Sequence, residues 1–185
     1  MIRRILSLVS LVLVLSGTTL PQGSRDGESA DKLKAAYIFN FIQFVEWPPR
    51  AFENDADTIV IGVFSWQSVI RSLQAITEGE TISAHPLAVR ELKELPEAKK
   101  CHVVVISGGA EETIQTILGS LRGSPTLTIG QAEGFAERGG AISLFVADNK
   151  LRFAINPMTI RNQELRVSSK LLRLGTIVGE MPEEQ

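Results

Sequence analysis

Between Ala35 and Trp47 only Asn40, Gln43 and Glu46 are polar, and they recur at every third position. Successive residues of an α-helix turn by about 100°, so these three form a narrow polar strip on an otherwise apolar cylinder. Such a helix cannot lie bare in water. Either it is sunk in a core or it turns an aromatic face to a partner. Asp31 is placed to cap its start, and Pro48-Pro49 to end it, because the residue before a proline is driven out of the α region.

Downstream, short apolar runs alternate with helical spacings. Thr58–Phe64 and His102–Ser107 read as buried strands: β-branched runs bounded by turn residues. Thr126–Ile129 reads as a third, and Leu87–Arg90 as a fourth. Val69, Ile70, Leu73 and Ile76 give a helix beginning at Gln67. Glu111–Leu121 gives another, with acids in its first turn as the helix dipole prefers. Gln131–Arg138 reads as a short helix stopped by Gly139-Gly140. Ala141–Val146 and Lys150–Ile155 read as a hairpin turning at Asp148-Asn149. In its second strand Leu151, Phe153 and Ile155 alternate with Arg152 and Ala154, which suggests one exposed face. Asn156-Pro157 fits a cap and first helical residue, and a last helix runs from Ser168 to about Val178. Continuous apolar strands between helices indicate a sheet covered on both faces. The expected fold is a three-layer α/β/α sandwich with a mixed, mainly parallel sheet of five or six strands.

The first residues change the picture of where this domain works. Arg3 and Arg4, the apolar run Ile5–Leu15 and the small residues Ser16–Thr19 have the anatomy of a cleaved signal peptide. A run of eleven residues falls short of the roughly 20 that span a bilayer, although an uncleaved anchor is the alternative. No cysteine follows Leu15-Ser16-Gly17 to carry lipid. Residues 1–22 are assigned to the signal peptide, 23–31 to a disordered segment and 32–180 to one domain. Of 19 basic and 21 acidic residues the leader holds only Arg3 and Arg4, so its removal takes the net charge from −2 to −4. A mildly acidic chain without a basic run argues against nucleic acid as a partner. Cys101 is the only cysteine, which excludes an internal disulfide. It reads as a buried thiol in the sheet.

Catalytic patterns are scarce. No Gly-x-Gly-x-x-Gly, Walker or Gly-x-Ser-x-Gly sequence occurs. Gly108-Gly109 lies between a strand and a helix, but Glu111 and Glu112 in the first turn would repel an anion. His85 and His102 lack a third ligand at metal spacing. Cys101 and His102 are neighbours on a strand, so their side chains point to opposite faces. Ser168-Ser169-Lys170 reads as a helix cap followed by a solvated lysine. The expectation is a chain that is not an enzyme and needs no metal or cofactor. Phe39, Phe41 and Phe44 read as core. Tyr37 and Trp47 carry polar handles near the helix ends and are the candidate partner contacts.

Four segments resemble the YfiR-like family of bacterial periplasmic proteins. Ala36–Pro48 is similar to its opening helix and Cys101–Ile106 to its central strand. Thr126–Ile129 with Gly139–Ile142 resembles its later sheet, and Phe153–Asn156 with Val167–Leu172 its closing part. The resemblance implies a periplasmic repressor that binds the sensor region of an inner-membrane diguanylate cyclase, lowering cyclic di-GMP and biofilm formation. It also implies an outer-membrane, peptidoglycan-associated partner that sequesters the repressor, and a homodimer stabilised by disulfides. Cys101 matches one family cysteine, but the position of its partner holds none, so redox control does not transfer. The competing expectation is a periplasmic small-ligand binding module that signals to a membrane receptor. A deep apolar pocket would favour that reading, and an exposed apolar patch the repressor.

Overall fold

The computed structural model describes residues 23–54 and 57–179; the leader assigned to residues 1–22 lies outside them. The first helix, α1 (Gly23–Gln43), is followed by the short strand β1 (Val45–Glu46), a 3-10 turn at Pro49–Ala51 and β2 (Ile59–Phe64). Next come α2 (Gln67–Thr77), β3 (Thr81–Ile82), β4 (His85–Leu92), α3 (Leu95–Ala98), β5 (Val103–Ile106), α4 (Glu111–Ser120) and β6 (Leu127–Gly130). The chain closes with β7 (Ile142–Ala147), β8 (Lys150–Ile155), α5 (Pro157–Asn162), β9 (Arg166–Val167), α6 (Ser169–Leu174) and β10 (Thr176–Ile177).

The main sheet has the order β10-β8-β7-β6-β5-β2-β4-β3. It is parallel except at the β7–β8 hairpin and at β3–β4. Side chains alternate across it as strand geometry requires. On β5, Val103 and Val105 enter one core while Val104 and Ile106 enter another. The first core packs Ile38, Phe41 and Ile42 of α1 and Leu73 of α2 over β2, β5, β6, β7 and β8. The second is smaller and packs Ile114 and Ile117 of α4 and the Phe135 ring over β5. Helical segments thus cover both faces, and the three-layer, mainly parallel architecture is the one the apolar runs predict.

Several expectations are corrected. The sheet has eight strands rather than five or six, because β3 and β10 add two residues each at its edges. Residues 23–31, expected to be disordered, form the first turns of α1, where Lys32 pairs with Glu28 at 3.0 Å. Asp31 is therefore no cap. The helix ends at Gln43, before the two prolines, because the chain leaves it to pair β1 with β9. Residues 131–138 form turns instead of a helix, since Gly134 takes a positive φ of 63° in their midst. The last helix stops at Leu174. Gly175 lies against the Phe153 ring, where a Cβ would come within 2.6 Å, and β-branched Thr176 and Ile177 join β8.

Gly62 is one of the close approaches beneath the second core. A Cβ there would lie 2.6 Å from Leu92 Cδ1 and 2.7 Å from Cys101 Sγ. Gly62→Ala is expected to lower unfolding stability in urea by about 1–3 kcal/mol through overpacking. Cys101→Ala, by removing one of the two crowding atoms, should make the second substitution cheaper than the sum of the two. Additive losses would show that the crowding is relieved elsewhere.

Candidate functional site: an apolar groove between the first and last helices

Three elements converge along the β8 edge of the first core. α1 contributes Tyr37 and Phe41, spaced so that they share a helical face, and Phe44 follows in the turn at its end. β8 contributes Leu151 and Phe153, and α6 contributes Leu171 and Leu174. Together they line a groove of about 550 Å³, open to solvent. Its floor is an aromatic cluster. The Phe41 and Phe153 rings lie 4.8 Å apart, and Tyr37 meets them edge-on at 6.0 and 6.3 Å. Such contacts fix ring orientations as well as bury area. Phe41 and Leu171 are buried, whereas Leu174 stands 66 % exposed on the rim.

The groove exists because α6 is tied to the end of α1. Val45 pairs with Val167 and Glu46 with Arg166 in a two-stranded antiparallel ribbon. The Ser168 amide donates to the Phe44 carbonyl at 2.9 Å. Ser168 Oγ then caps α6 by accepting from the Lys170 amide at 3.2 Å. Lys170 is solvated, as expected after a cap, and its Nζ lies 5.5 Å from the Phe44 ring centroid. Arg173 is exposed on the same short helix. Leu151 and Thr176 also border a second open hollow of about 570 Å³, whose polar lining includes Lys34, Gln131 and Ser143. Val146, near the end of β7, also lines it and is 66 % exposed. The apolar surface therefore continues from α6 across the sheet edge to the β7–β8 hairpin.

Of the two candidate contacts, Tyr37 lies in the groove and Trp47 outside it. Trp47 packs on the first core and donates its indole N–H to the His102 carbonyl at 3.3 Å. His102 is fixed in turn by backbone. Its Nδ1 accepts from the Val60 amide at 3.1 Å, which leaves Nε2–H to donate to the Ala51 carbonyl at 3.0 Å. Burial holds this imidazole below its ordinary pKa, and so neutral. Phe52 is stacked between His102 and His85, with ring centroids 4.8 and 3.9 Å away. His85 Nδ1 bonds the Asp57 carbonyl at 2.7 Å. Both histidines of the chain thus clamp the segment after α1 onto the sheet.

The other chemistry-bearing residues are likewise engaged in packing. Cys101 is buried, its thiol pushed up to about 11 by desolvation. Glu111, at the start of α4, pairs with Arg138 Nε at 2.9 Å. Among the described residues no group of three His, Cys, Asp or Glu side chains has the arrangement of a metal site. No described helix is long and apolar enough to cross a membrane.

Asp31 plays a part the sequence did not suggest. Its carboxylate accepts from the Trp66 indole at 3.1 Å and from the Ser68 hydroxyl, pinning α1 to the start of α2. Lys34 pairs with it at 3.4 Å, bonds Gln131 at 2.9 Å and lies over the Trp66 ring. The groove residues of α6 were also missed as a site. A usable signal was the leucine density at Leu171, Leu172 and Leu174, more than one face of a six-residue helix can bury.

The fold and its exposed groove can now be set beside known proteins. The sequence profile of the YfiR/HmsC-like family matches residues 31–176. The chain belongs to that family. YfiR-type proteins are regulators of diguanylate cyclases rather than enzymes. No curated protein matches the chain significantly. A conserved domain protein from Vibrio cholerae O1 biovar eltor is similar in structure, with a TM-score of 0.52 at 13 % identity. The match covers 80 % of this chain and 59 % of that one, so this chain spans about three-fifths of that protein's length. The ABC domain in complex with L-Trp from Streptococcus pneumonia is more distant, with a TM-score of 0.48 at 11 % identity over 70 % of this chain and 57 % of that one. The likeness to the Vibrio protein supports the α/β fold alone.

Asp31 gives a pH-dependent test of the α1–α2 junction. Burial alone would raise its pKa, but the hydrogen bonds from Ser68 and Trp66 and the charge of Lys34 outweigh burial and hold it below the usual carboxylate range. A depressed folded-state pKa contributes stability above the unfolded value, near pH ~4, that is lost as pH falls through the folded value. Asp31→Asn should therefore cost about 1–2 kcal/mol at neutral pH. The gap to the unaltered chain should close in acid, as followed by urea unfolding across pH. Parallel stability curves would show that the carboxylate charge contributes nothing.

Proposed function

We propose that the chain is an exported periplasmic repressor. It binds the periplasmic sensor region of an inner-membrane diguanylate cyclase and keeps the cytoplasmic cyclase off. Cyclic di-GMP and biofilm formation then fall. The observation that carries this reading is the family match over residues 31–176, which spans nearly all of the described fold. Two features are consistent with it. The α1 surface carries an aromatic groove open to solvent, a shape suited to a protein partner. The histidines, the cysteine and Asp31 serve as structural ties, which leaves regulation by binding as the natural use of the fold.

Export rests on the leader pattern at residues 1–22. Sequestration by an outer-membrane, peptidoglycan-associated partner and a homodimeric state complete the proposal. Tyr37 is the stronger of the two candidate contacts, since it lines the groove, whereas Trp47 braces the turn beside His102. The hollow beside Lys34 and Gln131 favours the second reading, a ligand-binding module, because an apolar wall there meets several polar groups.

Deleting the gene in the native bacterium is expected to raise intracellular cyclic di-GMP. The full-length protein should reverse the rise, and a version lacking residues 2 to 22 should not. Unchanged cyclic di-GMP while the protein is expressed, or rescue by the leaderless form, would contradict periplasmic repression.

A further inference from the structure

We propose that the groove between α1 and α6 seats an acidic amphipathic helix of the partner protein, with its apolar side chains anchored against Phe44, Phe153 and Leu174. The inference rests on reading the chain as a protein-binding regulator, and it names the chemistry that the regulator recognises.

Shape argues for a helix. Two helices flank a floor formed by β8, and a trough of that kind is filled by a third helix laying an apolar face into it. Strand addition is the weaker option, because the neighbouring edge strand, β10, offers the backbone of only Thr176 and Ile177. The hollow is lined by rings and aliphatic side chains, with Asn40, Arg152 and Thr176 as its polar members. Contacts made there are chiefly apolar, as at the centre of a protein interface.

Charge argues for acid on the occupant. From Leu165 to Gly179 the chain holds Arg166, Lys170 and Arg173 and no carboxylate, within a protein whose formal net charge is −2. Among the described residues, neither Lys170 nor Arg173 has a carboxylate within salt-bridge distance. Arg152 at the other rim has only the solvent-exposed Asp148, at 3.4 Å. An apolar trough edged by uncompensated cations complements a helix with apolar anchors and Glu or Asp flanks. The same rim disfavours a second copy of this chain. A two-fold axis through the groove would set Lys170 and Arg173 against their own equivalents, neither of which has a salt-bridge partner among the described residues.

The test places a photo-crosslinking amino acid at Leu174 of the full-length protein in the native bacterium, with Glu112 on the opposite face as control. Irradiation should join Leu174, and not Glu112, to one segment of another protein. That segment, identified by mass spectrometry, should be net acidic with apolar residues at helical spacing. The same segment as a labelled peptide should bind the purified mature protein. Lys170→Glu combined with Arg173→Glu should weaken binding at least about tenfold, which corresponds to 1.4 kcal/mol. Both positions are exposed, so the thermal midpoint should hold.

An adduct with lipid or with a second copy, a segment lacking acids or helical periodicity, equal labelling from both sites, or no adduct would each overturn the inference. Binding unaffected by the charge reversal would do the same. If the acidic helix belongs to a protein other than a diguanylate cyclase, the groove assignment stands and the cyclase reading falls. If a cyclase is joined through Glu112 alone, the groove assignment falls and the cyclase reading stands.

Discussion

The pairing of Val45 with Val167 is the contact on which the groove between α1 and α6 depends. It is a ribbon of two residues on each side, yet it joins the end of the first helix to the start of the last. Without it, α1 and α6 would each cover the sheet separately, and no trough would lie between them. Glu46 opposite Arg166 places unlike charges across the same ribbon. The Ser168 amide extends the connection to Phe44. Closing so long a loop has an entropic cost that grows only slowly with length, so a short ribbon backed by Phe41, Phe153 and Leu171 can hold it.

The rest of the molecule keeps that surface rigid by tying each chemistry-bearing group to the frame. Asp31 fastens α1 to α2 through Trp66 and Ser68. His102 and His85 hold Phe52, and Trp47 caps the stack edge-on. The alternation of Val103, Val104, Val105 and Ile106 between two cores fixes the central strand from both sides. In such a frame a residue as exposed as Leu174 is available for a partner, because the stability of the fold does not require its burial.

The sequence was most informative where burial is strongest. The apolar runs at β2, β5 and β6, the β7–β8 hairpin with Asp148 and Asn149 at positive φ, and the Asn156 cap on α5 were all readable. Each is set by local pattern or by residues with a specific backbone preference. The two-residue strands were not readable, since β1, β3, β9 and β10 carry no periodicity of their own and form only because a neighbour is present. The same limit hid the groove. Phe44, Phe153 and Leu174 come from three distant segments, and only the ribbon brings them together. Tyr37, which lines the groove, could be singled out because it sits within the aromatic helix itself. The roles of Asp31 and His102 were not, because each is defined by acceptors and donors far along the chain.

The most direct test of the account is cyclic di-GMP in the deletion strain complemented with Leu174→Glu at wild-type abundance. Leu174 is solvated in the fold, so the substitution should leave the protein folded while placing a carboxylate where the proposed acidic helix must dock. The account predicts cyclic di-GMP as high as in the deletion strain. Full repression by Leu174→Glu would contradict it and move the regulatory surface away from the groove.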